Sequence, residues 1–159
     1  MSSDFHIKID GIEGEAKHKD HKGEIEMLSW SWDVVQPSGA ASGGGSGKGK
    51  AVPGAFTFTH RYDKASPVLA SNSVKGKHLP KAVITARKAG EGQQTYLTIT
   101  LKEVLITSVQ NGGSQGGEVI ETVGASYKDI EFAYKAQDDK GATGADVKFG
   151  WDVASTEVR

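Results

Sequence analysis

The sequence predicts a mainly β fold: a small β-barrel or sandwich of two packed sheets with one short flanking α-helix, organised as one domain over residues 1–159. Three observations predict it. Most apolar segments alternate with period two, which puts successive side chains on opposite faces of a strand. Glycine-rich connections separate those segments. One stretch, around Ser66–Gly76, carries both helix start and helix stop signals. A chain of 159 residues can remove roughly two-thirds of its unfolded surface from water in a single core.

In chain order, the first two-faced strand is Phe5-His-Ile-Lys-Ile9. Next comes Trp30-Ser31-Trp32-Asp33-Val34, which places Leu28, Trp30, Trp32 and Val34 on one face and Ser29, Ser31, Asp33 and Val35 on the other. Ile25 and Met27 have the opposite parity, so a bulge or bend is expected near Met27. Phe56-Thr-Phe-Thr59, Leu97-Thr-Ile-Thr-Leu101, Ile130-Glu-Phe-Ala-Tyr134 and Val147 through Val153 repeat the pattern. Ala82 through Ala86 is a less polarised strand, and Val104-Leu-Ile106 loses alternation as if covered on both sides. For the helix, Ser66 supplies an N-cap, Pro67 a first helical residue, Val68, Leu69, Ala70 and Val74 an apolar stripe, and Gly76 a left-handed terminus. The total is about seven to nine strands.

Glycine is over-represented, at 21 of 159 residues against a usual share of about 7 per cent. Most of it lies in strand connections: a long loop at about 37–54, Gln110 through Gly117, and Gly141 through Gly144. The long loop cannot bury apolar surface and has the most backbone entropy to lose. On several strands the residue opposite the core is a hydroxyl: Ser29 and Ser31, Thr57 and Thr59, Thr98 and Thr100. Such a weakly charged surface suits a partner subunit or a water-filled space.

Composition excludes several functions. Lys+Arg 19 against Asp+Glu 20 gives no field favouring phosphate backbones or anionic lipid, so neither nucleic-acid binding nor membrane insertion is expected. Without cysteine there is no disulfide framework, thiol nucleophile or thiolate zinc site. The N-terminus lacks a basic region followed by an apolar core, so no classical export signal is expected.

Two glycine-rich motifs mimic chemistry. Gly44 through Lys50 has phosphate-loop spacing, but Ala51 stands where a magnesium-binding hydroxyl belongs, and a strand rather than a helix follows. Gly112-Gly-Ser114-Gln-Gly116 matches a nucleophile elbow, yet strands flank it on both sides, so Ser114 is expected at a hairpin tip. His18 and His21 could share a metal with Asp20, but the adjacent lysines favour a solvated loop. His6 and His60 fall on strands, where hydrogen-bonded structural roles are the default, and His78 follows the helix. No carboxylate pair is placed for acid–base work. No catalytic residue, cofactor or metal site is expected. Trp30, Trp32 and Trp151 share faces with apolar neighbours and are read as core residues rather than a stacking platform.

Ile7 through Ala16, Glu24-Ile-Glu, Leu28-Ser-Trp-Ser-Trp32, Phe58 through Pro67, Tyr96 through Val104 and Lys148-Phe-Gly-Trp-Asp152 closely resemble the haemolysin-coregulated protein, Hcp, family of type VI secretion systems. The resemblance spans nearly the whole chain in order. It implies a phage tail-tube-like subunit that forms hexameric rings, which stack into a tube inside a contractile sheath with a spike protein at the tip. Small effector proteins can travel in the lumen. The implied route is from the bacterial cytoplasm to the outside without a signal peptide. The resemblance puts Ser29 and Ser31 toward the lumen. It assigns the long loop, with Gly43, Gly44, Gly45, Ser46, Gly47, Lys48, Gly49 and Lys50, to contacts between stacked subunits. Arg159 follows shortly after Val153, so the toxin domain that extended members carry is not expected. The alternative is a monomeric ligand- or carbohydrate-binding β-sandwich, which requires Trp30 or Trp32 to be exposed.

Overall fold

A computed structural model describes residues 3–37, 50–88, 94–137 and 143–159. Its elements are β1 (Ser3–Ile9), β2 (Ile25–Met27), β3 (Ser29–Ser31), β4 (Val34–Val35), β5 (Val52–Pro53), β6 (Phe56–Arg61), α1 (Ala65–Lys75), β7 (His78–Lys88), β8 (Thr95–Gly112), β9 (Ile120–Ser126), β10 (Asp129–Gln137), β11 (Thr143–Asp152) and β12 (Glu157–Val158). Each predicted strand falls on an observed one except Trp30–Val34, which breaks at Trp32 and Asp33 into β3 and β4 of different sheets. Among the described residues the strands outnumber the expectation, because β2 to β5 and β12 are pieces of two or three residues.

All pairings are antiparallel. A first sheet runs β12-β11-β10-β8-β7-β1-β2, and a second runs β3-β6-β9-β8. The two pack face to face around Phe56, Phe58 and Val123 from the second and Ile7, Ile84, Ile99 and Leu101 from the first, all fully or almost fully buried. The sandwich half of the expectation holds. The barrel does not close, because β2 pairs only with β1 and no ladder joins it to β6.

Two corners carry the chain between sheets. The 18 residues of β8 pair with β7 and β10 in their first half and with β9 in their second. Between them Glu103 has φ 52°, a left-handed conformation that costs a non-glycine residue about 1–2 kcal/mol. It switches parity: Ile99 and Leu101 point inward before it, Val104 and Ile106 after it. The lost alternation at Val104–Ile106 is therefore a corner, not a strand covered on both faces, and Leu105 is only half-buried. The second corner is the bend expected near Met27. It falls at Leu28, whose N–H donates to the Thr59 carbonyl (2.8 Å). Leu28 lies outside the bend and is exposed, so it does not share the tryptophans' face.

The helix begins earlier than expected. Lys64 occupies the N-cap, and the capping bonds come from its neighbours: Asp63 Oδ1 accepts from the Ala65 N–H (2.9 Å) and Ser66 Oγ from the Asp63 N–H (3.1 Å). Ser66 is thus inside the first turn, and Pro67 is the third helical residue, where its missing N–H still costs nothing. Gly76, at φ 62°, ends the helix as expected, with Lys77 N–H donating to the Asn72 carbonyl and Gly76 N–H to that of Ser73. The buried stripe is Ala65, Leu69 and Asn72; Val68 and Val74 face outward, contrary to the expected stripe.

Candidate functional site

Directly opposed residues of an antiparallel ladder point to the same side, so the register of the second sheet fixes its outer surface. One row is Ser29, Thr59, Thr122 and Gln110; the next is Ser31, Thr57, Gly124 and Ser108. Ser29 and Ser31 are exposed on this face, and the Ser29 and Thr59 hydroxyls are hydrogen-bonded at 2.6 Å. No residue in either row ionises. At Gly124 a Cβ would sit 2.5 Å from Ser108 Oγ, so a side chain there would require that hydroxyl to rotate away. The intervening row, Trp30, Phe58, Val123 and Val109, points into the core. Trp30 stacks on Phe56 (5.7 Å between centroids) and meets Phe5 edge-on.

The third hydroxyl pair separates from the other two. Thr98 and Thr100 lie on the outer face of the first sheet, in a depression shared with Glu131, Lys135, Asp146 and Lys148. Parity shows which side of a strand a residue takes, but not which sheet the strand joins. Thr122, Ser108 and Gly124 escaped the sequence reading for the same reason: they belong to the face only through pairing with β6.

Of the long-loop residues, Gly43, Gly44, Gly45, Ser46, Gly47, Lys48 and Gly49 lie outside the described residues; Lys50 is described and exposed. The loop's stem is a two-stranded ribbon in which Val34 pairs with Pro53 and Val35 with Val52. Val34, Val35 and Val52 are 46, 54 and 53 % exposed. Val34 therefore belongs to the ribbon and not to the tryptophan face. The ribbon is fastened at its base. Trp32 Nε1–H donates to the Tyr127 hydroxyl, which donates to the Gly54 carbonyl (2.7 Å), while the Gly54 N–H donates to the Asp33 carbonyl (2.8 Å). Burial first, and then the nearby Asp33 carboxylate, push the Tyr127 phenol above its ordinary value, against the pull of the Trp32 bond. Tyr127→Phe strips partners from the buried end of Trp32 and from Gly54. It is expected to cost about 1–3 kcal/mol, read by urea denaturation; a change below the error of the fit would remove the fastening role.

The remaining candidates resolve simply. Ser114 lies in the turn between β8 and β9, as expected, with the Gly117 N–H donating to its carbonyl. Lys50-Ala51 runs into β5, not into a helix N-terminus. His60 is buried and hydrogen-bonded to Glu121, as expected of a structural histidine; His78 is exposed at the start of β7. The expected solvated loop at His18 and His21 is not what forms. His21 is buried and stacked parallel to His6, 4.4 Å between centroids at 5°. Parallel rings aim their nitrogen lone pairs side by side rather than at a common point, and among the described residues no group of three His, Asp or Glu side chains can hold a metal. His6 is also buried, with Nδ1 lacking a hydrogen-bond partner, so it is not the satisfied histidine expected. Among the described residues no helix is long and apolar enough to cross a membrane.

Comparison with known proteins agrees with this architecture. The family model described as type VI secretion system effector, Hcp, matches residues 6–134. Protein hcp1 of Pseudomonas aeruginosa is 43 % identical over 156 residues, covering 96 % of each chain. Among solved structures, Hcp1 from Salmonella typhimurium superposes with a TM-score of 0.82 at 34 % identity and full coverage of both chains. A type VI secretion system effector from Yersinia pestis gives 0.78 at 36 % identity, covering 94 % of this chain and 100 % of that one. With most of its length inside the family model and a close relative covering nearly all of it, the chain belongs to the Hcp family of type VI secretion system proteins.

Proposed function

We propose that this protein is the ring-forming subunit of a type VI secretion inner tube. Six copies close into a ring, rings stack, and the outer face of the second sheet lines the lumen, uncharged along the rows of Ser29 and Ser31 and bounded by the exposed Arg61–Glu118 pair. The observation that carries this reading is the pair of rows centred on Ser29 and Ser31. A conduit has to pass cargo without trapping it, and a carpet of short hydroxyls offers neither apolar area nor fixed charge to hold it. The first sheet's outer face, with Glu131, Lys135, Asp146 and Lys148, lacks that character. Ring closure joins two different surfaces of neighbouring copies, and such stacking is open-ended. Small effector proteins are the cargo. A spike protein at the tip and a contractile sheath outside are the other partners, and expulsion by the sheath takes the protein from the bacterial cytoplasm to the exterior. The subunit is a structural part with no catalytic step of its own. Its inward-turned Trp30 is at odds with a monomeric carbohydrate binder, which needs an exposed aromatic platform.

Size-exclusion chromatography with light scattering, followed by negative-stain microscopy, tests the assembly. Ring particles of six protomers are expected, and a strict monomer at tens of micromolar would overturn the proposal. Within it, Ser31→Gln is expected to keep the fold and the rings while changing which effectors co-purify; an unfolded variant would show that Ser31 does not face open space.

A further inference from the structure

Residues 10–24, between β1 and β2, double back over the outer face of the first sheet. Three backbone bonds hold the turn together: Gly14 N–H to the Gly23 carbonyl (2.8 Å), Ala16 N–H to that of Glu24 (2.9 Å) and Gly23 N–H to that of Ala16 (3.1 Å). Its side-chain attachment to the sheet is a cluster of imidazoles. His21 stacks on His6 of β1, and the His18 ring lies 6.1 Å from His6 and 5.7 Å from His21. His6 and His21 are 4 and 8 % exposed. Beside the stack, Asp20 Oδ2 is 3.4 Å from Arg87 Nη1 of β7.

Every element around the cluster contributes charge. On β1, Asp4 and Lys8 share the face of His6; on β2, Glu26 pairs directly with it; on β7, Thr85 pairs with it and Arg87 with Asp4. From the segment itself, Glu24 meets His21 Nδ1 at 3.0 Å, and the exposed Lys17, Lys19 and Lys22 adjoin His18 and His21 in sequence. His6 Nδ1 and Thr85 Oγ1 are buried without hydrogen-bond partners.

We propose that residues 14–24 form an acid-released strap, held on the sheet at neutral pH by the His6–His21 stack and opened when the buried His6 ring takes up a proton in mildly acidic solution. The contacts explain the direction. Stacked neutral rings attract, whereas a cation on His6 sits buried against a second imidazole, with Arg87 on the next strand. Burial, foremost, and then the neighbouring His21 hold His6 below the ordinary value of 6.5; Glu24 and Asp4 oppose them but do not reverse the shift. A histidine lowered in the closed state binds its proton more readily once released. The strap is therefore fully stable above about pH 6.5 and loses stability as the pH falls below it, up to tenfold in the opening equilibrium per pH unit for each proton taken up. This inference does not depend on tube assembly.

Two measurements on the full chain test it. Proton NMR titration of the histidine C2–H signals is expected to show one imidazole with an apparent pKa clearly below 6.5. Hydrogen-exchange mass spectrometry at pH 7.5 and 5.5, corrected for intrinsic rates, is expected to show protection over residues 14–24 falling at least about tenfold while residues 97–101 of β8 keep theirs. His6→Phe keeps a ring for His21 to stack on but cannot gain charge, and is expected to abolish most of that fall. Equal protection of the strap at both pH values, or an undiminished fall in folded His6→Phe, would overturn the proposal. Should that variant not fold, the wild-type titration and exchange decide alone, and a His6 that titrates at or above 6.5 counts against it.

Discussion

Replacing His60 with alanine is expected to destabilise the protein by about 3–5 kcal/mol, the range for breaking a buried pair by removing one partner. His60 and Glu121 face each other across β6 and β9 on the core side, both fully buried, with Nε2 and Oε1 2.8 Å apart. Glu121 Oε2 has no hydrogen-bond partner, so without the imidazole neither carboxyl oxygen is satisfied. The ring also fills space against Phe58, 5.6 Å between centroids, and Nδ1 stands 3.8 Å from Asp63, the residue whose carboxylate caps α1. Nδ1 itself is buried without a hydrogen-bond partner. Replacing both partners with apolar groups, as in His60→Phe with Glu121→Leu, is expected to recover most of the loss, because the desolvated pair contributes little net once both halves are gone. Urea denaturation followed by tryptophan fluorescence measures both, at one protomer concentration because self-association would add to apparent stability. A single variant losing less than about 1 kcal/mol would mean that water reaches Glu121 and that the pair is not sealed.

The strands were legible because their faces differ. Phe5–Ile9, Phe56–Thr59, Leu97–Leu101 and Ile130–Tyr134 alternate cleanly, and each lies within the strand that forms, β1, β6, β8 and β10. Of the two corners, the bend at Leu28 was legible as the change of parity at Met27, and the one within β8 was not. At Lys102-Glu103 two consecutive outward residues interrupt the alternation, and no local rule indicates that the chain continues as one strand through a left-handed glutamate. The helix start shifted for a comparable reason: Ser66 before Pro67 reads as the cap, whereas the carboxylate that accepts from the first helical N–H, that of Ala65, belongs to Asp63.

The candidate site divides along the same line. That Ser29 and Ser31 oppose the tryptophans followed from parity alone. That Thr57, Thr59, Thr122 and Ser108 extend them into two rows without an ionisable residue needed the register of three ladders. The histidine cluster was invisible for a stronger reason. His6 meets His21 through a segment that folds back, and residues 15 positions apart with lysines between them carry no periodicity that would bring them together.

In the proposed tube, Val35→Lys combined with Val52→Glu is expected to abolish stacking of rings while leaving the rings and the protomer's thermal stability in place. A two-stranded ribbon is marginally stable by itself, and β4 and β5 present Val34, Val35 and Val52 to solvent rather than to the core. Only its base is fixed, through Trp32, Tyr127 and Gly54. Covering one fully exposed valine contributes about 1.5 kcal/mol or more. Half-exposed valines contribute less each, but the contribution is repeated at every copy around a ring and multiplies through avidity. Val35 and Val52 are directly opposed, so the introduced charges face each other as an opposite pair that keeps the ribbon together. Surface changes of this kind shift stability by about 0.5 kcal/mol or less. Microscopy and sedimentation of the variant are expected to show single rings under conditions where the unaltered protein forms tubes. Tubes that persist would free the ribbon of any stacking role, and loss of the rings themselves would move its contact to the lateral interface within a ring.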